Sequence, residues 1–415
     1  MTGLLHFGPG EPGALPAQGL VVRGLSESLD AAGWIAFAAK GEGTGALREV
    51  DLRVASLDLL GSPFADTRLQ LAREATGTRV SLEGPAISGR VDIPGDLSLG
   101  VQADFSRLHW PQKPEPTLEQ IAAADAGLSD DPRKVPPLRF KVEDLRLGAL
   151  VLGKTELQAV PVPEGLRVER FSTRSPSLEM LAQGDWQYAG EGASRSRFEV
   201  DFTASSLGEL LDAFGLAGMI DDGETRGRLD GSWAGSPGNF ALARFTGRLK
   251  MDVGEGHLLE VEPGGGGRVL GLISLAEIPR RLSLDFSDFF NKGFAFNTMS
   301  GEFVFADGFA RTDLLQINGP AAEIRVSGST DLRRQEYDQR IEVLPKAGGA
   351  LPVIGAIAGG PIGAAVGAMA QAVLQKPLKQ AARTVYRVTG PWRDPKVEVV
   401  EKGPPAAERE GEGKR

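Results

Sequence analysis

The chain has 415 residues, 41% hydrophobic and 24% charged, with a net charge of −9 and no cysteine. The acidic balance argues against a nucleic-acid partner, because phosphate binding needs clustered Lys and Arg. The absence of cysteine excludes disulfides, thiolate nucleophiles and Cys-based metal sites.

The opening Met1-Thr-Gly-Leu-Leu-His6 has neither a basic region nor a long apolar run, so no signal peptide is visible. Apolar and polar residues then alternate with the period of a strand. Val50, Leu52 and Val54 enclose Asp51 and Arg53. A polar, proline-rich insertion over 111–137, with a short helix expected over 116–128, reads as a mobile loop or a join between two β segments. Alternation returns at Phe198, Val200 and Phe202. Ser206 and Glu209 have capping-box spacing ahead of Leu210, Leu211 and Phe214. Leu282, Leu284 and Phe286, then Phe303 and Phe305, then Ile324 and Val326 repeat the strand pattern. Asp307-Gly308 and Asn318-Gly319 are turn signals between strands. Glycine and proline number 55 and 27, spread along the chain, which fits many turns.

Two internal echoes stand out. Gly247 to Gly254 and Gly301 to Gly308 each bracket one strand with glycines. Gly165, Pro176 and Gly184 are echoed by Gly308, Pro320 and Gly328, with equal spacing from Pro to Gly. Either the chain repeats a β unit, or β-meanders simply look alike.

The stretch from Ala347 to Gln375 holds no Asp, Glu, Lys or Arg, but is rich in Gly and Ala and interrupted by Pro352 and Pro361. It reads as an apolar hairpin or interfacial helix, with a buried helical segment or a true span as alternatives. Its membrane-contact candidates are Leu351, Val353, Ile354, Ile357, Ile362, Val366, Met369, Val373 and Leu374, with Lys376 and Lys379 at headgroup level. A final strand over 385–400 and a disordered tail over 401–415 close the chain.

Catalytic chemistry is hard to find. His6, His109 and His257 lie far apart in sequence with no metal-ligand spacing. Pro263-Gly-Gly-Gly-Gly-Arg268 lacks the Lys-Ser/Thr of a P-loop and reads as a turn. Acidic pairs such as Asp221-Asp222 and Asp130-Asp131 read as loop residues. No enzyme, metal or cofactor is expected.

From residue 100 onward, Arg107-Leu-His-Trp-Pro111, Leu138 to Gly148, Gly184-Asp-Trp186 and Leu229 to Pro237 together resemble the YhdP family of AsmA-like proteins. The resemblance is closest over Arg268 to Ser287 and Gly319 to Leu332, and it ends with Leu351 to Ala365 and Tyr386-Arg-Val-Thr-Gly390. It covers nearly all of this chain but only the C-terminal part of a typical member. It implies a bridge of antiparallel β-sheet curled into an apolar groove. It further implies a helical inner-membrane anchor at the N-terminus of full-length members, a periplasmic location, phospholipid movement towards the outer membrane and support of its permeability barrier. No anchor is visible here, so the expected partners are phospholipid, a membrane at the C-terminal end and a missing N-terminal part of the same protein.

The expected fold is therefore mainly β: a long curled antiparallel sheet of repeated units, with a few short helices and an apolar helical segment near the C-terminus. The expected divisions are a β segment over 1–110, the insertion over 111–137, an AsmA-like β region over 138–345, the apolar segment over 346–384, the final strand and the tail. A lipid carrier must shield acyl chains, at about 0.8 kcal/mol for each CH₂, yet let the lipid slide. The candidates for such a greasy face are Phe198, Val200, Phe202, Leu249, Met251, Leu284, Phe286, Phe303, Phe305, Ile324 and Val326. An ordinary closed β-sandwich core is the competing reading of the same residues. A scaffolding β protein of the envelope, without cargo, is the competing function, and an envelope hydrolase a distant third.

Overall fold

The structure, a computed structural model, describes residues 2–9, 15–31, 47–59, 61–111, 131–213, 220–259, 294–346, 383–392 and 395–403. The expected strand at Leu282–Phe286, the helix over 116–128, the glycine run at 263–268, the apolar stretch over 347–375 and the tail beyond 403 lie outside the described residues. The chain divides into two compact units, residues 1–204 with 228–241 and residues 205–227 with 242–415.

Twelve strands build the first unit: β1 (Thr2–Phe7), β2 (Gly19–Asp30), β3 (Leu47–Leu59), β4 (Ser62–Glu74), β5 (Gly77–Glu83), β6 (Ile87–Pro94), β7 (Val101–Trp110), β8 (Leu138–Leu147), β9 (Leu150–Val162), β10 (Gly165–Arg174), β11 (Leu178–Gly190) and β12 (Ala193–Ala204). Each pairs with its neighbour in the chain. Short turns make most of these pairs antiparallel. Three pairs are parallel, β1 with β2, β2 with β3 and β7 with β8, where the sequence reading expects antiparallel pairing throughout. The reason is connection length. Segments 8–18, 31–46 and 111–137 are long enough to return the chain to the starting end of the sheet, which a tight hairpin cannot do. The proline-rich insertion thus links two strands that pair in parallel, β7 and β8.

Period-two alternation sorts the side chains onto two faces. Leu52, Leu69, Leu82, Gly89, Phe105 and Val142 form one cross-strand row. The five with side chains are buried. One position away, Asp51, Gln70, Ser81, Arg90, Asp104 and Lys141 form a polar row. The polar face is laced by arginine–carboxylate pairs. Arg68 holds Asp51 through Nε and Nη2 at 2.8 and 2.7 Å, and Arg53 holds Asp66 at 2.8 and 2.9 Å. These bonds keep both carboxyls below their usual 3.8. Arg53 and Arg68 stand opposite each other across β3–β4, and each is offset by its diagonal carboxylate, Asp66 or Asp51. The sheet bends locally at β4–β7. Trp110 at the end of β7 donates to Ser62 Oγ at the start of β4 (2.7 Å), and its ring meets Phe64 edge-on at 5.4 Å. The intervening β5 and β6 are short, and β6 against β7 carries a bulge at Ser88/Gly89 that sharpens the twist.

In the second unit, Ser206 caps the helix α1 (Leu207–Ala213), its Oγ accepting from Glu209 N at 3.1 Å, as the capping box predicts. Strand β13 (Ile220–Asp222) follows. Strand β14 (Thr225–Ala234) runs through the division, and residues from 228 onward belong to the first unit. Then come β15 (Thr246–Val253), β16 (Gly256–Leu258), β17 (Phe294–Phe296), β18 (Thr298–Ala306), β19 (Phe309–Asn318), β20 (Ala322–Asp331), β21 (Glu336–Pro345), β22 (Arg383–Pro391) and β23 (Lys396–Gly403). An antiparallel run joins β15, β18, β19, β20, β21, β22 and β23. A small sheet joins β13, β16 and β17. Asp307 and Gly308 both take positive φ, 54° and 80°, as a two-residue hairpin turn requires.

Both sequence echoes acquire a structural meaning. The strands bracketed by Gly247/Gly254 and Gly301/Gly308 are direct neighbours, with Leu249 opposite Phe303 and Met251 opposite Gly301. The longer echo is the same hairpin built twice. Strands β10 and β19 both have 10 residues. Their turns close with the same bond, Ser175 N to Leu178 O at 2.8 Å and Gly319 N to Ala322 O at 2.9 Å. Bulges fall at Val168/Phe171 and Thr312/Leu315, opposite Gly184 and Gly328.

Candidate functional site

The apolar face of β8–β12 in the first unit is the best-defined candidate. Ala159, Leu166, Val168 and Trp186 form a buried cluster, and the half-buried Leu138, Leu157, Phe171 and Phe198 pack against it. These side chains come from four consecutive hairpin-linked strands plus β12, so only sheet pairing assembles them. Phe198 lies opposite Gly184, where an added Cβ would meet its ring at 2.7 Å. The glycine therefore leaves room for the ring over the β11 backbone, making a broad apolar floor. Phe105 uses Gly89 in the same way, at 2.4 Å. Beyond Phe198 the aromatic surface continues: its ring stacks on Trp233 at 5.6 Å, and Trp233 meets Phe240 edge-on at 5.1 Å. Phe240 is 44% exposed.

The sequence candidates divide by burial. Phe198, Val200 and Phe202 are half-buried on the apolar face of β12, opposite Gly184, Ala182 and Met180. Leu249 and Met251 are half-buried on β15. Phe303 and Phe305 are 1% exposed, and Ile324 and Val326 are 0% exposed. Leu284, Phe286 and all the candidates from Leu351 to Lys379 lie outside the described residues. Trp186, Phe171, Leu157, Trp233 and Phe240 belong to the apolar surface, but alternation alone does not single them out. The available signal is a strand glycine opposite an aromatic residue, Gly184 with Phe198, and the tryptophans of Gly184-Asp-Trp186 and Leu229–Pro237.

Polar chemistry lies elsewhere. His109 Nε2 is 2.6 Å from Asp144 Oδ2, and Arg146 also bonds Asp144. His109, ahead of the other contacts, holds the Asp144 carboxyl below its usual 3.8. The pair ties β7 to β8. An open depression of about 580 Å³ over β4–β8 is lined by Gln70, Ser81, Arg90, Asp104 and Lys141 of the polar row. Its two cations face Glu83, Asp104 and Glu143, so it offers no net attraction to an anion. Among the described residues no group of His, Asp and Glu is placed to hold a metal ion, and no helix is long and apolar enough to cross a membrane.

Strands paired in chain order, with one charged face and one apolar face that stays half-open around β12, define a β-sheet protein with an extended apolar surface. The chain belongs to the family described as YhdP protein, which matches residues 3–397. It is similar to the "Intermembrane phospholipid transporter YhdP" of Escherichia coli (strain K12), 23% identical over 395 residues, covering 91% of this chain. The chain spans 30% of the length of that relative. No solved structure matches.

Proposed function

We propose that this chain carries phospholipid along its apolar face, as a non-catalytic part of an envelope bridge between the inner and outer membranes that supports the outer-membrane permeability barrier. The carrying observation is the half-buried row Phe198, Val200 and Phe202 beside the Trp186 cluster. Buried apolar side chains are the rule in a closed core, and a connected set left half-open is the feature that calls for a ligand. Family membership and the printed name of the relative agree with this cargo. In this reading the sheet curls so that the apolar face becomes a groove, and the bend that brings Trp110 to Ser62 supports such curvature. The test is native mass spectrometry of protein purified from the cell envelope. Phospholipid masses on the intact protein are expected, and lipid-free protein would overturn the reading.

Residues 351–379 are proposed to dock on the receiving membrane, with Lys376 and Lys379 among the headgroups. Deleting residues 350–375 is expected to abolish liposome flotation. Equal flotation of the deletion variant and the parent would sink this assignment.

A scaffolding role without cargo is the second reading. It is favoured by the second unit, where Phe303, Phe305, Ile324 and Val326 are packed as in an ordinary core.

A further inference from the structure

The apolar face of β10–β12 holds three polar atoms that are buried and have no hydrogen-bond partner among the described residues: Thr173 Oγ1, Trp186 Nε1 and Ser194 Oγ. Their residues are 4%, 9% and 6% exposed. Buried donors in native folds are nearly always satisfied, so each exception points to an oxygen that the protein itself does not supply. Two of the three lie together. Trp186 pairs with Ser196, and Tyr188, the next residue on the same face of β11, pairs with Ser194.

A cation stands over Tyr188, the cross-strand partner of Ser194. The Arg133 guanidinium carbon lies 3.7 Å over the centre of the Tyr188 ring. Asp131 accepts from Arg133 Nε and Nη2 at 2.8 and 2.9 Å, which fixes the direction of the fork. The same contact lowers the Asp131 carboxyl from its usual 3.8 to about 2, so it stays ionised. Lys134 is 3.9 Å from that carboxylate and 82% exposed. Two cations thus face one carboxylate, and the turn keeps a surplus positive charge.

The apolar surface begins where this polar group ends. Ser194, Ser196, Phe198, Val200 and Phe202 follow one another along one face of β12. From Ser194 to Phe202 the strand runs about 26 Å, at about 3.3 Å per residue. An acyl chain needs roughly half of the ~30 Å hydrocarbon core of a bilayer.

We propose that this end of the first unit is a headgroup subsite for a phosphate-bearing lipid. The Trp186 indole N–H and the Ser194 hydroxyl donate to phosphate or ester oxygens. Arg133 and Lys134 balance the phosphate charge, and the acyl chains lie along Phe198, Val200 and Phe202. The assignment rests on the lipid-carrying reading and adds to it a location and a headgroup chemistry.

The test compares phosphatidylglycerol with diacylglycerol of the same acyl chains, titrated against the full chain. The parent is expected to bind both. Combining Ser194→Ala and Arg133→Gln removes one buried donor and the cation and leaves Trp186 and the rest of the apolar surface in place. The apparent Kd for phosphatidylglycerol is expected to rise about tenfold or more, the loss of one or two charge-assisted bonds, with diacylglycerol binding unchanged. Unchanged phosphatidylglycerol binding would overturn the subsite, as would an equal loss for both lipids, which marks damage to the apolar surface. A parent that binds neither lipid refutes the carrier reading itself, a separate result.

Discussion

Replacing Phe198, Val200 and Phe202 together by aspartate is expected to abolish phospholipid binding while the far-ultraviolet circular dichroism of the sheet is retained. The three side chains are half-buried and lie on one strand face. Each new carboxylate can therefore reach water in the free protein, and the lost packing amounts to about 1 kcal/mol per position. A bound acyl chain changes the balance. It would bury the carboxylates against hydrocarbon without a partner, at several kcal/mol per ion. The same substitutions in a closed core would unfold the protein. Retained lipid by native mass spectrometry, or loss of the β spectrum, would each contradict an open apolar face on β12.

Phe305→Ala is expected to behave in the opposite way, lowering stability by about 3–5 kcal/mol. Phe305 is 1% exposed, and its ring meets Phe245 edge-on at 5.3 Å. Its neighbours across the sheet are Gly247 and Ala310, too small to fill the space its ring would leave. Urea unfolding followed on the second unit reads the change as a lower midpoint at an unchanged slope. A shift worth less than about 1 kcal/mol would mean that this face is not packed as a core. The two variants together separate a lipid-facing surface from a structural one, although both rows look alike in sequence.

That likeness marks the limit of what the residues disclose. Phe198-Glu-Val-Asp-Phe202 and Phe303-Val-Phe305 obey one period-two rule, yet one row is half-open and the other sealed. Alternation states which residues share a face. What covers that face is decided by side chains from strands far away in sequence. The glycine opposite each ring is of the same kind: Gly184 is legible as a strand glycine, but its service to Phe198 depends on register. Arg133 reads as one basic residue in a polar insertion, and only the return of residues 131–134 onto β10 and β11 sets it over Tyr188.

By itself the sequence determined the mainly β class, the hairpin turns at Asp307-Gly308 and Asn318-Gly319, the Ser206 cap and the family. These depend on local rules: side-chain period, turn chemistry and the order of short motifs. It also held the doubled hairpin, because equal Pro-to-Gly spacing sets Gly184 and Gly328 at the same distance from their turns. The tertiary structure decided the three parallel pairs, since a long connection permits a crossover without requiring one. It also decided which apolar rows are sealed and which ring Arg133 covers. Those are matters of contact between distant strands, and no period within one strand encodes them.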